Sequence, residues 1–68
     1  MIIIETDKIY CLYVRTNRRV KWRYAEYGGR YETVEKAIDA VKERFKNERV
    51  EYLIESLDDD SSVQGFIN

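Results

Sequence analysis

The sequence predicts an α+β fold with the element order β-β-α-β: an antiparallel sheet of three strands, or four if a terminus adds one, with one helix packed on one face. Two runs that alternate apolar and polar residues precede a single amphipathic stretch, and a third alternating run follows it. Alternation is typical of strands, and apolar residues spaced three and four apart are typical of helices. Because one helix covers only one face of a sheet, this fold leaves the other face uncovered.

The first two strands are predicted as a hairpin over residues 8–16 and 20–27. Both runs are rich in β-branched and aromatic residues, and in both the more apolar phase falls on even numbers. Since directly paired residues share a face, we expect an odd-numbered loop, the three residues 16–18. Gly28-Gly29 predicts a turn after the second strand. The predicted pairs are Val14 with Val20, Leu12 with Trp22, and Tyr10 with Tyr24.

The helix is predicted over residues 33–47. Thr33 is suited to cap its amino end, and Glu35 places a carboxylate in the first turn, where the helix dipole favours negative charge. Asn47 is the expected end. The apolar residues of the stretch fall on one stripe at helical spacing. They are Val34, Ala37, Ile38, Val41 and Phe45.

The third strand is predicted over residues 49–57, with its even-numbered residues facing the helix. Residues 60–68 either form a flexible tail or dock through their apolar residues. The apolar residues 1–4 either extend the first strand or form a short strand of their own. The helix stripe is expected to pack on Leu12, Val14, Trp22, Tyr24 and Ile54.

The size of the chain favours a partner subunit. Its 68 residues make one domain, near the lower limit for a chain that folds alone. Such chains commonly gain stability from disulfides, a metal or oligomerisation. One cysteine, Cys11, makes no internal disulfide, and a chain without histidine lacks a ligand typical of structural zinc sites. Oligomerisation is therefore the expected source of added stability.

Charge is balanced overall but unevenly placed. The formal net charge is −1, yet residues 15–31 hold six cations and one carboxylate, and residues 51–68 hold five carboxylates and no cation. A basic and an acidic patch allow head-to-tail pairing of two copies, or two different partners. The apolar run at residues 1–4 is too short for a secretory signal, and no stretch is long enough to span a membrane. We expect a cytoplasmic protein with no membrane partner.

The uncovered face predicts a homodimer in the first interpretation. It carries too much apolar surface for a monomer to leave in water as one patch. A two-fold copy would bury this patch, and tyrosine is enriched at the energetic centres of interfaces. The residues predicted at the dimer interface are Ile9, Cys11, Tyr13, Ala25, Tyr27 and Leu53.

Two other interpretations stay open. In the second, the tyrosines stack on bases and the cations contact phosphates of a nucleic acid. The residues predicted for such contacts are Arg15, Arg18, Arg19, Lys21, Arg23 and Arg30. In the third, these cations are only the solvated side of a strand, and their aliphatic stems cover the tyrosines.

The sequence offers little for catalysis. Without histidine there is no His-based acid–base pair, triad or metalloprotease motif. Gly28-Gly29 lacks the spacing of a phosphate-binding loop, and the acidic run at 58–60 lacks the glycine and later glutamate of a calcium loop. Cys11, on an apolar strand, resembles a small hydrophobe more than a nucleophile. We expect no enzyme, no metal, no cofactor and no small-molecule substrate.

The run from Ile9 to Thr16, the helix and the run from Val50 to Asp59 together resemble the YopT-like family of small Bacillus prophage proteins. This resemblance implies three strands and one helix, a homodimer, a mobile-element origin and no assigned activity. The stretch from Lys21 to Phe45 also resembles the AP2-like DNA-binding domains of phage integrases, which implies three strands before the helix.

Overall fold

The described chain forms an antiparallel sheet of four strands with one helix across one face. The structure, a computed structural model, describes residues 9–58 and 60–67. Its elements are β1 (Tyr10–Arg15), a 3₁₀ turn (Trp22–Tyr24), β2 (Glu26–Tyr31), α1 (Val34–Arg44), β3 (Val50–Ser56) and β4 (Ser62–Ile67). The sheet order is β2-β1-β3-β4 with every neighbouring pair antiparallel. The predicted α+β fold is confirmed, with the fourth strand present.

The helix lies where the strand order requires a long connection. β2 and β3 both run antiparallel to β1, so they are parallel to each other with β1 between them. Parallel strands need a crossover connection, and α1 supplies it. α1 contacts β2, β1 and β3 on the way.

The core lies between α1 and the even-numbered side chains of the two central strands. A cluster of aliphatic residues is almost fully buried there: Leu12, Val14, Ala37, Val41, Val50 and Ile54. Tyrosines and larger apolar residues surround this cluster and are half-buried. Trp22 and Tyr24 were predicted in the core, and this prediction is wrong. Tyr24 is 73% exposed, and neither residue packs on the cluster.

The predicted register of the first hairpin is wrong as well. β2 begins at Glu26, and it pairs Val14 with Glu26 and Tyr13 with Tyr27. Residues 16–25 form a ten-residue loop containing the 3₁₀ turn. Alternation alone does not choose between registers that differ by an even number of residues, because each of them keeps the same face toward the core. Contacts outside the strand pair decide the outcome, as the loop described below shows.

Gly28 and Gly29 form a bulge inside β2, not the predicted turn. The register shifts between Leu12 and Tyr13, so both glycines lie opposite Leu12. A Cβ atom on Gly28 would come within 2.8 Å of Leu12 Cδ2, and Gly29 has a φ of 105°. Both positions therefore require glycine, one for space and one for backbone conformation.

The helix and the third strand follow the prediction closely. The Thr33 hydroxyl accepts a hydrogen bond from the Lys36 amide at 3.1 Å, the expected N-cap. The helix ends at Arg44, three residues before the predicted Asn47.

Residues 62–67 form β4, which pairs along its full length with β3. Of the two options left open for residues 60–68, the structure therefore has docking, by residues 62–67. Gly65 lies against the Tyr52 ring, where a Cβ atom would come within 2.4 Å of the hydroxyl oxygen. Residues 1–4, expected to form strand, lie outside the described residues.

Candidate functional site

The face of the sheet away from α1, called the open face below, carries the odd-numbered residues of β1 and β3. Register places four side chains in one row across it. The row is Tyr27, Tyr13, Leu53 and Gln64, one from each strand in spatial order. Tyr27 and Gln64 therefore mark the same row at opposite edges of the sheet.

The six residues predicted at a dimer interface lie on or beside the open face, but their own chain covers several of them. Cys11 is 8% exposed and Leu53 is 9% exposed. Ile9, Tyr13 and Ala25 are half-buried. Only Tyr27, at 54%, is largely exposed. The uncovered apolar surface here is thus smaller than the sequence predicted.

The Tyr13 and Tyr27 rings form the most prominent feature of the row. Their centroids are 5.7 Å apart, with a tilt of 54° between the planes, a favourable geometry for aromatic pairs. Burial raises the pKa of Tyr13 above its ordinary value of 10.0, and the nearby Cys11, Glu55 and Tyr27 raise this pKa further. Tyr13 is therefore a neutral phenol at physiological pH, able to donate a hydrogen bond to a ligand.

The loop of residues 16–25 is held against the sheet by Arg15. Its guanidinium lies 4.0 Å from the centroid of the Trp22 ring and donates a hydrogen bond to the Val20 carbonyl at 2.6 Å. The same group donates to Glu51 at 3.2 Å. One side chain thus ties the loop to β3, and its planar fork suits this combined stacking and hydrogen bonding.

The cations predicted to contact nucleic acid do not form one patch. Arg15 is engaged within the fold, and Arg30 lies beside Cys11, which also pairs with Glu55. The remaining four are exposed on the loop. They are Arg18, Arg19, Lys21 and Arg23. Of these, Arg18 approaches Glu51 at 3.8 Å, and the other three form no ion pair with a described residue.

Sequence reasoning missed a fifth cation at the same end of the sheet. The Arg49 guanidinium lies 4.9 Å from the centroid of the Phe66 ring, and Phe66 is 57% exposed. The pair forms because β4 docks beside β3 and places Phe66 opposite Glu51. The signal in the sequence was the apolar residues of the 60–68 segment, for which docking and a flexible tail were both predicted as options.

Two shallow depressions mark the open face. One, of about 380 Å³, lies at the centre of the face. Its lining residues are Tyr13, Trp22, Arg23, Ala25, Leu53 and Glu55. The other, of about 330 Å³, lies at the carboxyl end of β1. Its lining residues are Arg15, Thr16, Arg18, Arg49, Glu51 and Phe66. Both linings contain aromatic rings and guanidinium groups, which can bind a ligand by stacking and by charge.

The open face is electrostatically polar along the strand direction. The loop cations other than Arg23, together with Arg49, lie toward the carboxyl end of β1, and Asp58 and Asp60 lie at the other end, between β3 and β4. We call these the basic end and the acidic end. The charge is therefore also uneven in space, although Glu51 and Glu26 lie at the basic end and Arg30 lies toward the acidic end.

In the described ranges, no three histidine, cysteine, aspartate or glutamate residues come together as a potential metal site. Nor do those ranges include a helix with the length and apolarity required to cross a membrane. Between residue 9 and α1 the chain has two strands, whereas the resemblance to the AP2-like domains implied three.

A comparison with protein-family models finds no match, and comparisons with curated proteins and with solved structures also find none. The resemblance to the YopT-like family therefore stays a prediction.

Proposed function

We propose that this protein is a non-catalytic binding module that self-associates as a homodimer in the cytoplasm. The observation that carries the proposal is the exposed apolar surface outside the helix-covered core. Phe66 and Val63 are both exposed on the edge strand β4, on opposite faces of the sheet. Large apolar side chains that stay exposed together are typical of interaction sites.

The small size of the core also supports self-association. One short helix covers one face, and the fully buried cluster in the described part of the chain contains six residues. A chain of this length gains little stability from such a core alone, and a second subunit adds buried apolar area. The resemblance to the YopT-like family supports the same conclusion and a prophage origin.

The proposal of a non-catalytic role rests on the chemistry of the open face. Cys11 is buried, and the chain has no histidine to activate a nucleophile. The charged and aromatic groups that line the two depressions are aromatic rings, guanidinium groups and two carboxylates. Such groups recognise a ligand through stacking and charge.

Sedimentation equilibrium tests self-association directly. We expect twice the monomer mass at high protein concentration and a shift toward monomer on dilution. Thermal unfolding gives a second readout, because the melting temperature of a dimer rises with protein concentration. A monomer mass at every concentration, with a melting temperature independent of concentration, would contradict the proposal.

Nucleic-acid binding is the second candidate, and the basic end is the observation that favours it. Exposed loop cations lie at this end, Tyr24 on the same loop is 73% exposed with Arg23 over its ring, and Arg49 adds a further charge next to an exposed ring. Single-stranded nucleic acid is bound by this combination of cations and aromatic rings. The chain as a whole carries no net positive charge, so any binding would be local to this end.

Titration of labelled single- and double-stranded oligonucleotides at two salt concentrations tests this candidate. Phosphate contacts predict an affinity that falls steeply as salt rises. Arg19→Glu and Lys21→Glu should weaken binding, whereas Lys42→Glu, an equivalent exchange on α1, should not. Absence of binding at low salt would rule the candidate out.

A further inference from the structure

Among the described residues, no strand pairs with the outer edge of β4. β4 pairs on one side with β3 in a continuous register, and no described strand lies on its other side. An edge strand presents a row of unpaired backbone N–H and C=O groups, which is a template for pairing with another strand. The residues of β4, Ser62–Ile67, include no charged side chain and no proline.

The opposite edge of the sheet, β2, is protected in ways that β4 is not. β2 carries the Gly28-Gly29 bulge and a charged residue, Arg30, on its open-face side. On its other side Glu26 adds a second charge to this edge and forms an ion pair with Arg44 of α1. Bulges, charges and a covering helix are the devices by which proteins prevent edge-to-edge association. β4 has neither a bulge nor a charged residue, which marks this strand as a pairing edge.

We infer that β4 of one copy pairs antiparallel with β4 of a second copy, which joins two four-stranded sheets into one. This inference rests on the proposed self-association and names the surface responsible for it. Two copies of one strand can pair antiparallel about a two-fold axis, which gives a closed dimer. Because β4 is uncharged, such pairing places no like charges opposite each other.

Charge complementarity at the two ends supports this occupant. The chain enters β4 from the acidic end, where Asp58 and Asp60 are exposed. It leaves β4 at the basic end, where Arg49 reaches over Phe66 and where the one carboxylate beside Phe66, Glu51, is paired with Arg15 and approached by Arg18. Antiparallel pairing brings the acidic end of each copy beside the basic end of the other. The contact is therefore attractive at both ends, and association weakens as salt rises.

The geometry of the pairing restricts its register. Directly opposite residues of an antiparallel pair share a face. The two-fold axis therefore lies between one residue and its own copy, and at the centre of β4 this residue is Gln64 or Gly65. In either register Phe66 and Val63 gain neighbours from the second copy. The axis is perpendicular to the sheet, so both open faces lie on the same side and stay available to a further partner.

Opposite charges at position 64 provide the test. Gln64 is exposed, so Gln64→Lys and Gln64→Glu should both fold, as checked by circular dichroism. In either register the two copies of residue 64 are direct or diagonal neighbours. Each variant alone should therefore raise the dimer dissociation constant about fivefold through like-charge repulsion. An equimolar mixture of the two variants should recover the wild-type affinity as a heterodimer.

Tyr27→Lys is the matched control, because Tyr27 occupies the same row at the other edge. It should leave the dimer intact. If Tyr27→Lys dissociates the dimer and the Gln64 variants do not, the dimer forms through the open face and the β4 inference is wrong, while self-association stands. Failure of the mixture to recover affinity would also overturn it. A wild-type protein that is monomeric throughout would reject self-association itself.

Discussion

The two faces of the sheet are both partly buried, but different kinds of side chain bury them. On the helix-covered face, Leu12 and Ile54 pack against the aliphatic stripe of α1 and are almost inaccessible. On the open face, Cys11 and Leu53 are also buried, and Leu53 lies beside Tyr13 and a loop that one arginine holds in place. The first cover is apolar and continuous, and the second depends on a few polar contacts.

This difference assigns the stability of the fold to one face of the sheet and the capacity for binding to the other. Burial beneath α1 excludes water completely and contributes most of the hydrophobic free energy of folding. The loop of residues 16–25 contributes less, and its cations and Trp22 stay at the surface. Burial on the helix-covered face therefore stabilises the fold. The loop on the open face can move without exposing the core.

Neighbouring residues of β3 offer the strongest test of this separation. Ile54 faces α1 and Leu53 faces away from it. Ile54→Ala should lower the free energy of unfolding by about 2–5 kcal/mol, because the surrounding core relaxes only partly around the cavity. Leu53→Ala should cost about 1–2 kcal/mol, because the half-buried rings beside it can move into the space.

Urea unfolding at one fixed protein concentration measures both values, since self-association would make stability concentration-dependent. Equal losses for the two variants would show that the open face is buried as firmly as the core, and the separation of roles would fail.

Arg15 is the next test, because the cover of the open face depends on it. Arg15→Met keeps most of the aliphatic bulk but loses the stacking on Trp22, the hydrogen bond to Val20 and the pair with Glu51. We expect a loss of about 1–3 kcal/mol. Arg15→Lys keeps the charge but not the planar fork, so it should recover only part of the loss.

Limited trypsin digestion reports on the loop separately from the core. The loop contains four trypsin sites, Arg18, Arg19, Lys21 and Arg23. Release of the loop in Arg15→Met should increase cleavage at these sites, while the helix sites keep the wild-type rate. Cleavage at the wild-type rate would show that Arg15 does not hold the loop.

Local signals in the sequence were enough to predict α1 and β3. The Thr33 cap and the apolar stripe that follows it lie within one stretch of chain, and β3 alternates without interruption. The parity of the strands also placed Cys11, Tyr13 and Leu53 on the face away from the helix. Such features depend on neighbours along the chain, which a sequence displays directly.

The parts that the sequence did not predict depend on distant residues. The register of β2 depends on the close approach of Gly28 to Leu12. It also depends on Arg15, which holds Trp22 and Val20 beside the end of β1. The run of residues 20–25 has the composition of a strand but forms a loop, because tertiary contacts outweigh propensity. The Arg49–Phe66 pair likewise exists only once β4 lies beside β3.

The smallest expected effect is a pH dependence that belongs to the open face alone. The pKa of Tyr13 is raised above 10.0, first by burial and then by Cys11, Glu55 and Tyr27. Ionisation of Tyr13 is therefore harder in the folded chain than in the unfolded chain. The stability linked to its neutral form is fully present below pH 10 and is lost as pH rises through the higher folded pKa.

Tyr13→Phe removes this ionisable group but keeps the ring against Tyr27. Its stability should fall less steeply than that of the wild type in urea unfolding above pH 10. Tyr24→Phe, which alters an exposed ring on the loop, controls for the loss of a phenol elsewhere and should follow the wild-type curve. If Tyr13→Phe follows the wild-type curve as well, Tyr13 is solvated to the same extent in both states, and the loop and its neighbouring rings do not shield the open face from water.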